Sequence, residues 1–242
     1  MHLEDILFSQ GFGSRRQCRT LIASARVSVG GDVRTDALAS FDTASLVFTV
    51  DSTPWPFHER AYIALNKPAG YECSRDPQHH LSVFDLLPAQ FATRGVQCAG
   101  RLDQDTTGLL LFSDDGQFIH TFTSPRRKAA KVYVATTYHP LDDAQLEALR
   151  KGVILHGETQ PVAAVSARAR GARELELTIC EGKYHQVKRM VAAVGNRVEA
   201  LHRKRIGGFT LPDDLPAGQW QWLDDAQLAA LRNTGTLAIV YD

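Results

Sequence analysis

The stretch GRLDQDTTGLLLFSDDG, residues 100–116, joins a charged segment to an unbroken apolar run. Residues 107–113 of it, TGLLLFS, predict a buried β-strand, because the apolar side chains are consecutive and the run is short. Four aspartates and one arginine flank this run. A carboxylate beside a buried strand is partly desolvated, and its charged form then needs a cation close by. The first question for this sequence is therefore which of the four aspartates, if any, is catalytic.

Asp103 is the aspartate that the pattern favours. In an extended segment residues two apart point to the same side, so Asp103 shares a side with Arg101 and Asp105. Arg101 and Lys188 are the candidate cations. The residues alone leave two interpretations open, a catalytic carboxylate at Asp103 or a turn capped by one of these acids. Residues 114–116, DDG, are interpreted as a turn at the far end of the strand.

The rest of the chain predicts an α+β fold. Alternating or apolar runs predict strands over 61–66, 107–113, 131–137 and 173–180, and helical spacing predicts helices over 142–152 and 184–195. Strands and helices do not alternate in a βαβ order, which favours a mixed, mainly antiparallel sheet flanked by helices.

Residues 1–50 are predicted to form a separate small domain. Ser14 and Gln17 fit a capping box at the start of a helix. The apolar stripe of that helix is predicted to comprise Cys18, Leu21, Ile22 and Ala25. Pro54 and Pro56 exclude a helix or a central strand, so residues 51–60 are predicted to be a linker. Residues 61–242 form the second predicted domain.

Composition limits the function classes. Hydrophobic residues make up 44% of the 242 residues, and the formal net charge is +0, which by itself argues against a nucleic-acid-binding protein. The basic residues nevertheless cluster, at 14–19, 126–131, 183–189 and 202–205. Such clusters predict either a basic face that binds nucleic acid or ordinary solvated surface. A bilayer span and a secretory signal are both missing from the sequence, so we expect a cytoplasmic protein without a membrane partner.

Neither a cofactor nor a metal is expected. The sequence lacks the P-loop, the dinucleotide fingerprint, G-x-S-x-G and H-E-x-x-H. His79 and His80 are adjacent without a further histidine at ligand spacing, which is more typical of a solvated loop than of a metal site. The four cysteines are scattered and are expected to be reduced, with a catalytic thiol as the less favoured alternative.

Several segments together resemble one family. GRLDQDTTGLLLFSDDG resembles the signature motif of RsuA-type pseudouridine synthases, and LNKPAGYECS (65–74), KVYVA (131–135) and EGKYHQVKRM (181–190) resemble its other motifs in the same order. HRKRIGGFTL and LPAGQWQWL fit the C-terminal pattern of the family. GFGSRRQCRTLI and RVSVGG are similar to the S4 RNA-binding domain that precedes the catalytic domain in this family.

The resemblance implies roles for particular residues. It makes Asp103 the catalytic nucleophile, Tyr133 the aromatic side chain against the target base, and Lys188 the basic partner of Asp103. Many relatives carry arginine where this chain has Lys188, and lysine offers a point charge instead of a bidentate fork. Arg101 is expected to help open the RNA. Without the resemblance, Tyr133 would be interpreted as a core aromatic residue of a strand.

The resemblance also implies an RNA substrate and no cofactor. Within the family the motifs are most similar to members that modify 16S rRNA at uridine 516; enzymes acting on 23S rRNA, or a non-catalytic ribosome-assembly factor, are the alternatives. The expected partner is ribosomal RNA in a small-subunit assembly particle, bound by a monomer. Further RNA-binding candidates are Ser14, Arg15, Arg16, Arg19, Lys67, Arg126, Arg127, Lys131, Lys183, Arg189 and Arg203.

Overall fold

A computed structural model describes residues 1–124 and 129–232. The chain divides into two compact units. Unit 1 comprises Met1–Ala61 and Leu87–Gln97, and unit 2 comprises Tyr62–Leu86 and the described chain from Cys98 onward. No helix among the described residues is both long and apolar enough to cross a membrane.

Unit 1 packs three helices and a four-stranded sheet. Its elements are α1 Leu3–Ser9, α2 Arg15–Ala23, β1 Val27–Val29, β2 Asp32–Arg34, β3 Val47–Val50, β4 Thr53–Pro56 and α3 Ala89–Thr93. The sheet is antiparallel, with strand order β2-β1-β3-β4. The capping box predicted at the start of α2 is present, since the Ser14 hydroxyl accepts from the Gln17 N–H and the Gln17 side chain accepts from the Ser14 N–H. Ala25, predicted to be in the core stripe, is exposed and lies beyond the end of the helix.

The segment predicted to be a linker, residues 51–60, is instead part of unit 1. Thr53–Pro56 forms the edge strand β4, where proline is tolerated because one side of the strand has no hydrogen-bonding neighbour. The Trp55 ring packs against Phe12 and against Phe91 of α3, with ring centroids 5.4 and 5.5 Å apart. Arg94 donates to the Gln10 side chain at 2.8 Å and so ties the 87–97 segment to α1.

Unit 2 is built on a large mixed sheet. Its strands are β5 Tyr62–Lys67, β6 Tyr71–Glu72, β7 Leu81–Ser82, β8 Gln97–Cys98 (of which only Cys98 is counted in unit 2), β9 Thr107–Ser113, β10 Lys131–Thr137, β11 Ser166–Gly171, β12 Glu174–Ile179, β13 Val198–Ile206, β14 Phe209–Thr210 and β15 Trp220–Trp222. The main path of the sheet runs β11-β12-β10-β13-β9-β5-β15, with β14 on β13 and β8 on β9. Every pair along this path is antiparallel except β9 with β13. The predicted α+β class with a mixed, mainly antiparallel sheet is confirmed.

Helices cover this sheet. They are α4 Gly116–Thr123, α5 Asp143–Lys151, α6 Gln186–Ala193 and α7 Asp225–Arg232, with a 3₁₀ turn at Val83–Leu86. A buried cluster joins β9 to α4 and α7 through Leu109, Leu111, Phe118, Phe122, Leu228 and Leu231. The prediction of a turn at 114–116 is wrong in part, because Gly116 is the first residue of α4. Asp115 caps this helix by accepting from the Gln117 N–H at 2.8 Å.

The parallel contact between β9 and β13 positions the site. Gly108 lies opposite Arg203, and a side chain at Gly108 would place its Cβ 2.4 Å from the Arg203 carbonyl oxygen. The backbone of Gly108 also has a φ of 100°, which favours glycine. This glycine therefore lets β13 lie directly beside the start of β9, where the loop that carries Asp103 ends.

Candidate active site

Asp103 lies in a short loop that leads from the buried Leu102 into β9. The loop closes as a turn, with the Thr106 N–H donating to the Asp103 carbonyl oxygen at 3.1 Å. The Asp103 side chain is 30% exposed, so it is reachable from solvent but partly shielded. The apolar run of β9 fixes the end of the loop, because Leu109, Leu110 and the residues after them are fully buried.

Lys67 is hydrogen-bonded to the backbone of this loop. Its ammonium group donates to the carbonyl oxygens of Pro68, Gln104 and Thr106 at 3.0, 3.1 and 2.9 Å. Burial lowers the pKa of Lys67. The side chain is completely buried, so the prediction that Lys67 binds RNA is wrong. A lysine in this role neutralises three carbonyl dipoles and stabilises the shape of the Asp103 loop.

Two basic side chains from the start of α6 face Asp103. His185 Nε2 lies 3.3 Å from Asp103 Oδ1, and Lys188 Nζ lies 3.3 Å from Asp103 Oδ2. The Lys188 ammonium group makes shorter contacts with Asp105, at 2.7 and 2.9 Å. Lys188 is therefore shared between two carboxylates, and the pairing with Asp103 alone that the sequence suggested is incomplete.

The shared lysine sets the charge of the site. Burial raises the pKa of Asp105, but the hydrogen bond and the positive charge of Lys188 outweigh burial and hold the pKa below its ordinary value. Burial lowers the pKa of Lys188, but the hydrogen bond to Asp105 and the charges of Asp103 and Asp105 outweigh it and raise the pKa overall. Lys188 and Asp105 are consequently both ionised at neutral pH. Asp103 thus faces a fixed positive charge.

His185 owes its orientation to an unusual backbone. Its φ of 48° lies in the left-handed region, which is uncommon for a residue other than glycine and is often found at functional sites. The imidazole is stacked on the Tyr184 ring, with centroids 3.8 Å apart and planes inclined by 19°. Gln186 anchors the turn by accepting from the Lys183 N–H at 2.9 Å.

Tyr133 reaches the same region from β10. The strand has a bulge between Val132 and Tyr133 where it pairs with β13. The Arg203 guanidinium donates to the Tyr133 hydroxyl at 3.4 Å and to the Leu109 carbonyl oxygen at 2.8 Å. Arg203 is buried but is among the residues that line the cleft, so its predicted contact with RNA stays a prediction. Its hydrogen bond also fixes the position of Tyr133.

These side chains line one cleft of about 1210 Å³ in unit 2. Its wall includes Arg101, Asp103, Lys131, Tyr133, Tyr184 and Lys188. Pockets for small ligands are commonly about 300–1,000 Å³, so this cleft is large enough for a nucleotide together with part of its neighbours. Within the described ranges, no group of three or more His, Cys, Asp or Glu side chains is arranged to hold a metal ion.

Comparison with known proteins decides the family. The model of the family described as RNA pseudouridylate synthase matches residues 61–193, and the S4 domain model matches residues 1–37. The chain belongs to the RNA pseudouridylate synthase family. The predictions of the family and of an N-terminal S4 unit are both confirmed.

Relatives resemble this synthase over nearly its whole length. The ribosomal small subunit pseudouridine synthase A of Escherichia coli (strain K12) is 40% identical over 236 residues, which cover 96% of this chain and all of that protein. The protein of the same name from Haemophilus influenzae is 34% identical, over 90% of this chain and 94% of its own. A crystal structure of a pseudouridylate synthase superposes with a TM-score of 0.68 at 31% identity, covering 96% of this chain and 99% of the other.

The remaining cations predicted to bind RNA in unit 2 differ in their surroundings. Arg101 is exposed and lines the cleft of the synthase. Lys131 lines it too, and burial lowers its pKa to about 8. Lys183 is paired with Glu158 at 2.8 Å, and Arg189 donates to the Tyr184 carbonyl oxygen at 3.1 Å. Arg126 and Arg127 lie outside the described residues.

The candidates in the S4 unit surround the start of α2. Ser14 is used as the helix cap, and Arg16 is exposed. Arg15 pairs with Asp5, and Arg19 pairs with Glu4. The prediction that these residues bind RNA stays open, but any RNA phosphate there would compete with carboxylates of α1.

Sequence reasoning missed two contributors to the site. The sequence pattern gives Asp105 no role beyond a shared side with Asp103 or a turn cap, although Asp105 makes the shortest contact with Lys188. It gives His185 no role within the predicted helix 184–195, although His185 contacts Asp103. His185 lies within EGKYHQVKRM (181–190), one of the segments that resemble family motifs. That resemblance was the available signal that His185 is important.

Proposed function

We propose that this synthase converts a uridine of small-subunit ribosomal RNA to pseudouridine, with uridine 516 of 16S rRNA as the first candidate. The observation that carries the proposal is Asp103, a half-exposed carboxylate beside two basic groups and in one cleft with Tyr133. The small-subunit target is inferred from relatives named ribosomal small subunit pseudouridine synthase A, which align over 90% or more of this chain. An rRNA substrate also implies activity in the cytoplasm.

The reaction needs a base that has left its stack. Conversion breaks the N1–C1′ bond of uridine, rotates the uracil and joins C5 to C1′, so C5 loses one proton and N1 gains one. The reacting atoms are out of reach in a stacked base, and flipping a base out costs a few kcal/mol. Arg101, exposed at the wall of the cleft, is proposed to fill the space that the base leaves.

Asp103 is proposed as the catalytic residue. Its carboxylate either attacks C1′ or assists departure of the uracil, and both routes require the ionised form. The Lys188 ammonium group lies 3.3 Å from this carboxylate and places a positive charge beside it in a partly dry cleft. Tyr133 is proposed to lie against the flipped uracil, because it lines the cleft and its hydroxyl group is fixed by a hydrogen bond from Arg203. The chemistry transfers no electrons to or from another molecule, so the proposal includes no cofactor.

The substrate in the cell is proposed to be the rRNA within a small-subunit assembly particle, bound by one copy of the chain. The match of residues 1–37 to the S4 domain model supports this proposal, because we propose this unit as a second element that binds the RNA. The 23S rRNA and a purely structural role in assembly are the alternatives.

Mapping of pseudouridines tests these statements together. In rRNA from cells that lack the protein we expect one pseudouridine of 16S rRNA to be absent, and the wild-type gene to restore it. The Asp103→Asn variant is expected to bind the same RNA within about twofold of wild type but to restore nothing, because it keeps the shape and loses the charge. Loss of a site in 23S rRNA would overturn the target, and restoration by Asp103→Asn would overturn the catalytic assignment.

A further inference from the structure

Tyr184 stands apart from the other aromatic residues of the cleft. Tyr184 is 72% exposed, whereas Tyr133 is buried. Both residues line the same cleft. An aromatic ring prefers to be covered, so an exposed ring at the wall of a binding cleft is a candidate contact for a ligand.

The ring of Tyr184 is held in place although it is exposed. One of its faces stacks on the His185 imidazole at a centroid distance of 3.8 Å and an angle of 19°. The Tyr184 carbonyl oxygen accepts from Arg189 at 3.1 Å, and His185 Nε2 is fixed by Asp103 at 3.3 Å. The left-handed backbone at His185, φ 48°, maintains this stack at a conformational cost that the surrounding contacts must offset.

We propose that Tyr184 is a second stacking platform, which binds an unpaired RNA base next to the uridine that reacts. The proposal rests on the proposed function for its substrate. Tyr133 is buried, so it can contact only the one base that enters the reaction pocket. Tyr184 is exposed in the same cleft, so it can contact a second base. His185 links the two places, because it touches Tyr184 on one side and Asp103 on the other.

A base is the ligand that this geometry fits. All four bases have a π-face, so an aromatic ring binds a flanking base without reading its sequence. Opening the RNA around a flipped uridine exposes such a neighbouring base and removes its stacking partner. Tyr184 would replace that partner and hold the RNA open.

The chain itself offers a matched control. Tyr138 is also an exposed tyrosine, 48% exposed, and is also followed by a histidine. Its ring meets His139 edge to face, at 4.6 Å and 82°, and is covered by the Arg197 guanidinium at 4.3 Å. It does not line the cleft. Replacing Tyr138 therefore changes exposed aromatic surface without touching the proposed platform.

The experiment measures binding separately from chemistry. The probe is the rRNA fragment around the uridine that mapping identifies, with 2-aminopurine substituted at each neighbouring position in turn. All variants are made in the Asp103→Asn chain, and the dissociation constant and the 2-aminopurine fluorescence are recorded. If mapping finds no target uridine, the proposed function has failed before this step.

Tyr184→Ala is expected to weaken binding about tenfold and to abolish the fluorescence change at one of the neighbouring positions, as loss of one base stack would. Tyr184→Phe keeps the ring and is expected to bind within about twofold of its parent. Tyr138→Ala should match the parent in both measurements. With active chains, Tyr184→Ala should raise the KM and leave kcat nearly unchanged.

Equal affinity and equal fluorescence in Tyr184→Ala and its parent would overturn the platform. An equal loss in Tyr184→Phe would also overturn it, because the hydroxyl and not the ring would then be responsible. Tyr184 is exposed, so its substitutions are expected to keep the melting temperature of the parent, which is recorded for each variant.

Discussion

Two regions of this synthase carry clustered basic residues, and the surroundings of those residues differ. On α2 in unit 1, Arg15 and Arg19 are 53% and 61% exposed and are paired with acids of α1. In the cleft of unit 2, Lys188 is 25% exposed and is shared by Asp103 and Asp105. The sequence presents both regions simply as clusters of basic residues.

The two regions differ in how far their basic side chains are exposed to solvent. An ion pair between exposed side chains is worth only about 0–1 kcal/mol and is screened by salt. Arg15, whose partner Asp5 is 31% exposed, can exchange its carboxylate for an RNA phosphate at little cost. Arg19 is itself exposed, but its partner Glu4 is only 8% exposed, so this exchange costs more. A cation that is partly buried between carboxylates is held more strongly, because water competes less for the cation and for the carboxylates. We therefore expect substitutions in the cleft to affect catalysis strongly and those on α2 to affect binding weakly.

The largest effect is expected from Lys188→Met. Without the ammonium group the Asp103 and Asp105 carboxylates lose the positive charge that they share, so their mutual repulsion is no longer offset and the Asp103 side chain loses a contact that positions it. We expect kcat/KM for pseudouridine formation to fall about 1,000-fold, within the range reported for loss of such groups. Single-turnover assays with tritium-labelled uridine in the RNA measure this value.

Lys151→Met is the control for that substitution, because Lys151 pairs with Glu147 on the exposed face of α5. It should leave activity unchanged. Lys188→Arg keeps a cation and should recover most of the loss. A Lys188→Met chain with activity within threefold of wild type would show that the cleft is no more sensitive than the surface of α2.

Particular residues show what the sequence can and cannot predict. The apolar run at 107–113 and the alternating run at 131–137 predicted β9 and β10 with the observed bounds, because strand periodicity is a local property. The capping box at Ser14 was predictable for the same reason. Asp103 was located by its position before a buried strand together with the motifs of a family.

Contacts over long sequence separations were not predictable. Lys67 is a lysine in a turn motif, and only the fold brings its ammonium group to carbonyl oxygens 37 and 39 residues further along the chain. The linker prediction failed in the same way, because Trp55 finds Phe91 in a later segment. The strand β13 was missed since its HRKR sequence suggests a solvated basic cluster, whereas Arg203 is buried beside Tyr133.

The rigidity of the cleft can be tested with two glycines of similar backbone. Gly108 and Gly100 have φ values of 100° and 101°, but a Cβ at Gly108 would meet the Arg203 carbonyl oxygen at 2.4 Å, while one at Gly100 meets nothing within 4 Å. Gly108→Ala is expected to lower the free energy of unfolding by about 3 kcal/mol or more, and Gly100→Ala by about 1 kcal/mol, from backbone strain alone. Urea denaturation measures both. Equal losses would mean that β9 and β13 are not in the close contact described.

A smaller effect concerns Cys73, which also lines the cleft. The hydrogen bond from the Cys98 thiol, aided by the Leu102 N–H and by the charge of Lys67, overcomes burial and lowers the pKa of Cys73. A lowered pKa forms the thiolate at lower pH, so alkylation by iodoacetamide should rise at a pH below the ordinary range near 8.5. Mass spectrometry of the peptide that contains Cys73 follows this reaction.

Cys98→Ala removes the thiol that donates to Cys73. The midpoint of the alkylation profile should then move to higher pH, and the rate at pH 7 should fall about tenfold, since nucleophilicity partly offsets the lower thiolate fraction. Cys180→Ala is the control and should change nothing at Cys73. A profile of Cys73 that is the same with and without Cys98 would contradict the hydrogen bond between the two thiols.

The smallest effect is expected on α2. The hydrogen bond from Arg19 lowers the pKa of Glu4 and keeps this carboxyl group ionised at neutral pH, so it competes with RNA phosphate for the guanidinium. Glu4→Gln should strengthen RNA binding about threefold at low salt, and the gain should disappear as salt screens the exchange. Fluorescence anisotropy at two salt concentrations measures the dissociation constants.

Substitution is a better test of this surface than removal of residues 1–50. Residues 51–61 and 87–97 also belong to unit 1, so a truncated chain would uncover Trp55 and Phe91 and confuse folding with binding. Glu147→Gln in unit 2 breaks an ion pair between two exposed side chains and should leave affinity unchanged. If Glu4→Gln binds RNA no better than wild type while its melting temperature is retained, Arg19 does not contact the RNA, and the basic face of α2 is ordinary solvated surface.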